Sequence, residues 1–120
     1  MKVMIIEDNP TNMKFAADLL KLAGCDVIEA TDAYIGIKMA KKITPRCILM
    51  DLQLPGLDGF EAVKILKSEE ETKEIQVIAM TALAMKGDKE RILAAGFDGY
   101  IAKPVRYKEL LGMLQEYMNK

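Results

Sequence analysis

Short, wholly apolar runs alternate along this chain with longer stretches whose apolar positions recur every three or four residues. Val3 to Ile6 is one such run, and it stops at the polar triplet Glu7-Asp8-Asn9. The next stretch, PTNMKFAADLLKLAG, carries Met13, Ala16, Ala17 and Leu20 on one helical stripe. Asn9 is placed to cap that helix, Pro10 suits its first position, and Gly24 stops it. The same alternation predicts strands over Asp26–Ala30, Cys47–Met50, Ile75–Met80 and Gly99–Ala102. It predicts helices over about Asp32–Ile43, Gly59–Lys67, Lys86–Ala95 (ended by Gly96) and Arg106–Met118. The last helix carries the stripe Leu110, Leu111, Leu114 and Met118.

Five β-α units with apolar strands imply an α/β fold, a parallel sheet covered by helices on both faces. Right-handed crossovers restrict it to a doubly wound sheet, for which 2-1-3-4-5 is a common strand order. The expected organisation is a single domain over residues 1–120, large enough to bury roughly two-thirds of its unfolded surface.

Composition narrows the chemistry. The chain is 51% hydrophobic and 29% charged, with 17 basic and 18 acidic residues spread along it and a net charge of −1. No basic patch for nucleic acid or an acidic membrane surface stands out. The opening MKVMIIEDN has too short an apolar run for a signal peptide or a membrane span, so a cytoplasmic protein without membrane insertion is expected. Cys25 and Cys47 lack CxxC spacing and read as buried free thiols. There is no histidine, which excludes His-based triads and His-ligated zinc. Ser68 is the one serine, inside the charged stretch KSEEETKE, which reads as plain surface, and neither GxxxxGK nor GxGxxG occurs. What remains is carboxylates, Lys, Thr, Tyr, Cys or a bound metal.

In such a sheet ligands gather at the carboxyl ends of the strands. Glu7 and Asp8 follow the first strand, Asp51 the third, Thr81 the fourth and Lys103-Pro104 the fifth. Strands three and five lie roughly 10 Å apart, a gap that an extended Lys and a short Asp nearly close. Three clustered carboxylates need a counter-charge, and Mg²⁺, with its preference for oxygen, supplies one. Asp51 would then serve as a nucleophile forming an aspartyl phosphate, with Lys103, Thr81 and the backbone N–H groups near Leu52 and Ala82 receiving the phosphoryl oxygens. Each residue alone has a blander reading. Glu7-Asp8 could be a solvated or capping pair, and Asp51 could be satisfied by a plain salt bridge. Thr81 could be a turn former, Lys103-Pro104 a strand stop, and Tyr100 core packing. Gly56, Asp58 and Gly59 read as shaping the turn and capping the third helix. The bland readings require four strand ends to imitate one site by accident.

EDN after the first strand, the Asp-x-x-x-Pro-x-x-Asp-Gly loop, TA after the fourth strand and Tyr-Ile-Ala-Lys-Pro together resemble the receiver domain of bacterial two-component response regulators. The likeness runs from Val3 to about Met118, and within the family NMK and TALAMKGDKERI are most similar to stand-alone regulators of the DivK type. The resemblance implies a flavodoxin-like three-layer sandwich. It implies Mg²⁺ (Mn²⁺ as a substitute) on Glu7, Asp8, Asp51 and the Gln53 backbone carbonyl. Asp51 would accept phosphate from a histidine kinase or histidine phosphotransferase; Thr81, Ala82 and Lys103 would contact the phosphoryl group, and Tyr100 would be the aromatic switch. It also implies a cis peptide before Pro104.

On this reading Thr81 moves toward the phosphate and Tyr100 turns inward. The face of the fourth helix, fifth strand and fifth helix then changes its preference for a downstream protein. Gln53 and Leu83 flank the site and tune dephosphorylation, with a fairly long-lived phosphorylated state expected. Taken as a stand-alone regulator, the protein signals by docking, as a monomer or weak dimer, without nucleic acid and as a phosphoacceptor rather than an enzyme. Two alternatives stay open from the residues alone. A magnesium-dependent aspartyl phosphatase would want a second acid where Gln53 stands. An FMN carrier would want a phosphate loop where EDNPTN places acids.

Overall fold

The computed structural model describes residues 1–82 and 86–118. The apolar runs become strands β1 (Lys2–Ile6), β2 (Asp26–Ala30), β3 (Cys47–Asp51), β4 (Gln76–Thr81) and β5 (Gly99–Ala102). Between and after them lie helices α1 (Pro10–Leu22), α2 (Ala33–Ile43), α3 (Gly59–Ser68), α4 (Lys86–Ala94) and α5 (Tyr107–Met118). Every pairing is parallel, as the apolar strands predict, and the strand order is β2-β1-β3-β4-β5, the common doubly wound order.

Alternate residues of each strand enter opposite cores, the consequence of a two-residue side-chain period. Met4, Ile6, Ile48, Met50, Val77 and Ala79 pack under α2 and α3. Val3, Ile5, Cys47, Leu49, Ile78 and Met80 pack under α1 and α5. The α1 stripe of Met13, Ala16, Ala17 and Leu20 is buried as its spacing predicts. On α5, Leu110 and Leu114 are buried, Leu111 is half-buried, and the side chain of Met118 lies outside the described part.

The caps follow local chemistry. Asn9 accepts from the Asn12 N–H, Asp32 from Ile35 and Asp58 from Glu61, each satisfying a helix-start donor. Gly24, just beyond α1, takes φ +87°, a conformation that a side chain would oppose.

The structure departs from the pattern in ways that have physical reasons. Strands β3 and β4 run one residue further than their apolar runs and take in Asp51 and Thr81, because ladder partners continue there: Asp51 faces Met80 and Thr81 faces Ala102. Within KSEEETKE, Thr72 is buried rather than on the surface, its hydroxyl donating to the Leu66 carbonyl at 2.6 Å. Cys47 is buried, with burial pushing its thiol up to about 12, whereas Cys25 is only half-buried; both are free.

One polar clamp ties the lower right of the sheet. The Lys67 Nζ donates to the Ile75 carbonyl at 2.8 Å and to Asp98 Oδ2 at 2.7 Å. The same Asp98 oxygen accepts the Val77 N–H at 2.8 Å, and the Asp98 N–H returns a bond to the Val77 carbonyl at 2.8 Å. The end of α3 is thereby fastened to the amino ends of β4 and β5.

Candidate functional site

At the opposite edge of the sheet, the carboxyl ends of β1, β3, β4 and β5 converge. Glu7 follows β1 directly, its N–H bonded to the Ala30 carbonyl at 3.1 Å, which fixes the backbone from which its side chain turns inward. That side chain is 1% exposed, and its Oε2 accepts the Asn9 N–H at 3.3 Å. Asp51 closes β3 and is also buried, its Oδ1 accepting the Gln53 N–H at 3.1 Å. Asp8 stays exposed at the mouth. One oxygen from each of Glu7, Asp8 and Asp51 lies within 4.8 Å of the others.

Lys103 reaches these acids across β4. Its N–H bonds the Thr81 carbonyl at 2.8 Å, its peptide to Pro104 is cis, and its Nζ sits 2.8 Å from Glu7 Oε1 and 3.1 Å from Asp51 Oδ1. The order of the strand ends aims the lysine at Asp51, but its shorter bond is to Glu7. Thr81 is buried at the end of β4, and Ala82 after it is exposed. Gln53 is exposed beside Asp51, while Leu83, assigned a matching role, lies outside the described residues. Tyr100 is not core packing: it is 37% exposed on β5, with the Lys89 ammonium 5.8 Å from its ring centroid.

The electrostatics follow from this crowding. Burial, then the hydrogen bond and charge of Asp51, push the Glu7 carboxyl above its ordinary value, against the pull of Lys103. Burial works to lower Lys103, but its bonds to Glu7 and Asp51 outweigh it and hold the ammonium up. The Glu7 shift fixes a sign. The folded metal-free protein keeps a proton on Glu7 where the unfolded chain has released it, so this contribution is present below pH 4.5 and is lost as pH rises through the raised value. Glu7→Gln, which mimics the protonated form, should therefore gain on the wild type in urea midpoint with rising pH in chelator. A difference between the two proteins that stays flat with pH would contradict this.

The donor set is all hard oxygen, two of its three members are buried, and their charges are only partly offset by one lysine. Such a pocket fits a divalent cation of the magnesium class. The response regulator receiver domain family matches residues 3–115 of this chain. The chain belongs to that family.

This receiver domain is 42% identical over 116 residues to the polar-differentiation response regulator DivK of Brucella ovis, covering 97% of this chain and 94% of that protein. Among solved structures, it is similar to the receiver domain of a sensor histidine kinase from Pseudomonas aeruginosa. That match has a TM-score of 0.91 and 34% identity, over 99% of this chain and 98% of the other, and that protein holds a magnesium ion in its active-site cleft. A chemotaxis response regulator of Vibrio cholerae matches with a TM-score of 0.88 and 27% identity, covering 97% of each chain. Family membership places the receiver domain in two-component phosphorelay signalling, where such domains act as phosphoacceptor switches rather than as turnover enzymes. Among the described residues, no helix is long and apolar enough to cross a membrane.

Proposed function

We propose that this chain works as one receiver domain that takes a phosphoryl group onto Asp51 from a phosphohistidine of a histidine kinase or phosphotransferase. The observation that carries this is the gathering of the Glu7, Asp8 and Asp51 oxygens within 4.8 Å, with the Lys103 ammonium already in contact. A carboxylate oxygen of Asp51 attacks phosphorus, the P–N bond breaks, and the imidazole nitrogen keeps its electron pair. Glu7, Asp8, Asp51 and the Gln53 carbonyl would hold Mg²⁺, with Mn²⁺ as a substitute; the ion supplies positive charge for the phosphoryl oxygens. Lys103 would pair with one of those oxygens, the Thr81 hydroxyl would donate to another and the Ala82 N–H to the third; the Leu52 N–H, expected near the site, is instead taken by the Met80 carbonyl at 3.3 Å.

Two further parts of the reading concern output. Tyr100 now points outward into a groove of about 470 Å³ that Leu93, Met113 and Glu116 also line. Movement of Thr81 toward the phosphate would let Tyr100 turn inward, reshaping the α4-β5-α5 face for a downstream protein. Gln53 and Leu83 set the lifetime of the phosphorylated state. The protein acts in the cytoplasm as a monomer or weak dimer, without binding nucleic acid.

Incubation with acetyl phosphate and Mg²⁺, read by intact mass, tests the chemistry. One added phosphoryl group that disappears with chelator is expected. No addition with Mg²⁺ present, or equal addition in chelator, would overturn the reading.

A further inference from the structure

We propose that Lys89 is a latch that fastens α4 to the outward-turned ring of Tyr100, so that this helix is held by aromatic faces more than by a core of its own. Among the described side chains of α4, only Ile92 is buried, whereas α1, α2 and α3 each bury four residues. Leu93, the next apolar residue along, is 44% exposed. One isoleucine is a thin attachment for a nine-residue helix. Two cations supplement it. The Lys89 ammonium lies 5.8 Å from the centroid of the Tyr100 ring on β5, and the Arg91 guanidinium lies 5.2 Å from that of Phe60 on α3.

Residues two apart on a helix project about 200° from one another, so these cations leave opposite flanks of α4, with Ile92 pointing inward between them. The Phe60 flank is braced. Asp88 holds the Arg91 guanidinium at 3.5 Å, and Phe60 packs edge-on against Phe97 with ring centroids 6.1 Å apart. On the other flank the aromatic partner is Tyr100, the ring that the output reading above turns inward. That turn would withdraw the ring from Lys89 and leave α4 on Ile92 and Arg91. The latch deepens that reading and rests on it: one side-chain rotation on β5 would loosen a whole helix of the docking face. Lys89 is thus a positioning residue that holds the resting arrangement.

The test is amide hydrogen exchange of residues 91–95 in the unphosphorylated protein, comparing wild type, Lys89→Met, Tyr100→Leu and the double variant. Each single change should speed exchange there by about two- to fivefold, the factor that an exposed cation–aromatic contact supplies, with α1 amides unchanged. The double variant should be no faster than either single one, because both remove the same contact. Mg²⁺ with beryllofluoride, a phosphoryl stand-in, should speed these amides in wild type and add little in Lys89→Met. Wild-type exchange in Lys89→Met, additive effects of the two changes, or faster exchange in every helix would overturn the latch. Exchange in wild type that ignores beryllofluoride, while the Leu52 and Gln53 amides gain protection from it, would sink the inward turn of Tyr100 instead. No protection at Leu52 and Gln53 would count against Asp51 as the acceptor and leave the latch standing.

Discussion

Asp51→Asn is expected to reduce phosphoryl uptake from acetyl phosphate by at least about a thousandfold, because an amide oxygen is a far poorer nucleophile than a carboxylate. The substitution leaves the local backbone alone. Asn keeps an oxygen to accept the Gln53 N–H, now bonded at 3.1 Å, and the ladder between Asp51 and Met80 does not involve the side chain. Lys103 retains Glu7 at 2.8 Å, so its charge stays paired. One of three crowded carboxylates is gone, and the metal-free variant should melt no lower than wild type. Loss of chemistry without loss of fold is therefore the expected signature, read by intact mass beside a thermal melt. Wild-type uptake by the Asn protein would move the acceptor away from Asp51. A collapsed melting curve would make the residue primarily structural.

Gly59→Ala should destabilise the protein by about 1–3 kcal/mol, the usual cost of forcing atoms into a filled space. A Cβ at Gly59 would lie 2.9 Å from the Asp51 carbonyl oxygen and 3.0 Å from the Leu52 Cα. These are backbone atoms, so no side-chain rotation relieves the clash; α3 or the end of β3 must shift. The Gly59 N–H to Leu52 carbonyl bond, 3.3 Å long, would lengthen with it. Because the displaced backbone is that of Asp51, the Ala protein should also bind Mg²⁺ more weakly than wild type. Gly112→Ala on α5 is the matched control: nothing lies within 4 Å of its added Cβ, and helix propensity alone should stabilise by about 0.5–1 kcal/mol. Urea midpoints of the two variants should move in opposite directions. A Gly59→Ala protein as stable as wild type would show that the close approach is not a constraint.

Much of this was legible in the residues. Runs such as Val3–Ile6 and the α1 stripe announce their elements because burial on both faces of a parallel strand, or on one face of a helix, leaves a periodic trace. The candidate site was legible for a related reason: Glu7 with Asp8 after it, Asp51, Thr81 and Lys103 follow apolar runs, and the topology brings those ends to one edge. Contacts set by side-chain torsion left no such trace. The lysine's nearer bond to Glu7 depends on how two long side chains settle among Asn9, Gln53 and Asp51. Burial of Thr72 depends on a turn whose composition is that of an exposed loop, and the tightness at Gly59 on how closely a helix start approaches the end of a strand. Pairing of Lys67 with Asp98, 31 residues apart, likewise emerges only when the fold brings the end of α3 to the foot of β5.

That last pair has a mechanical corollary. Lys67 and Asp98 pin the amino ends of β4 and β5, so under the proposed switch a displacement begun at Thr81 or Tyr100 would have a fulcrum below it. The upper end of β5 would then swing about a held foot, with amplitude climbing from Asp98 toward Ala102. Cutting the pin with Lys67→Met would turn a graded tilt into a sliding of the whole strand, and the stroke delivered to a docked partner would shrink.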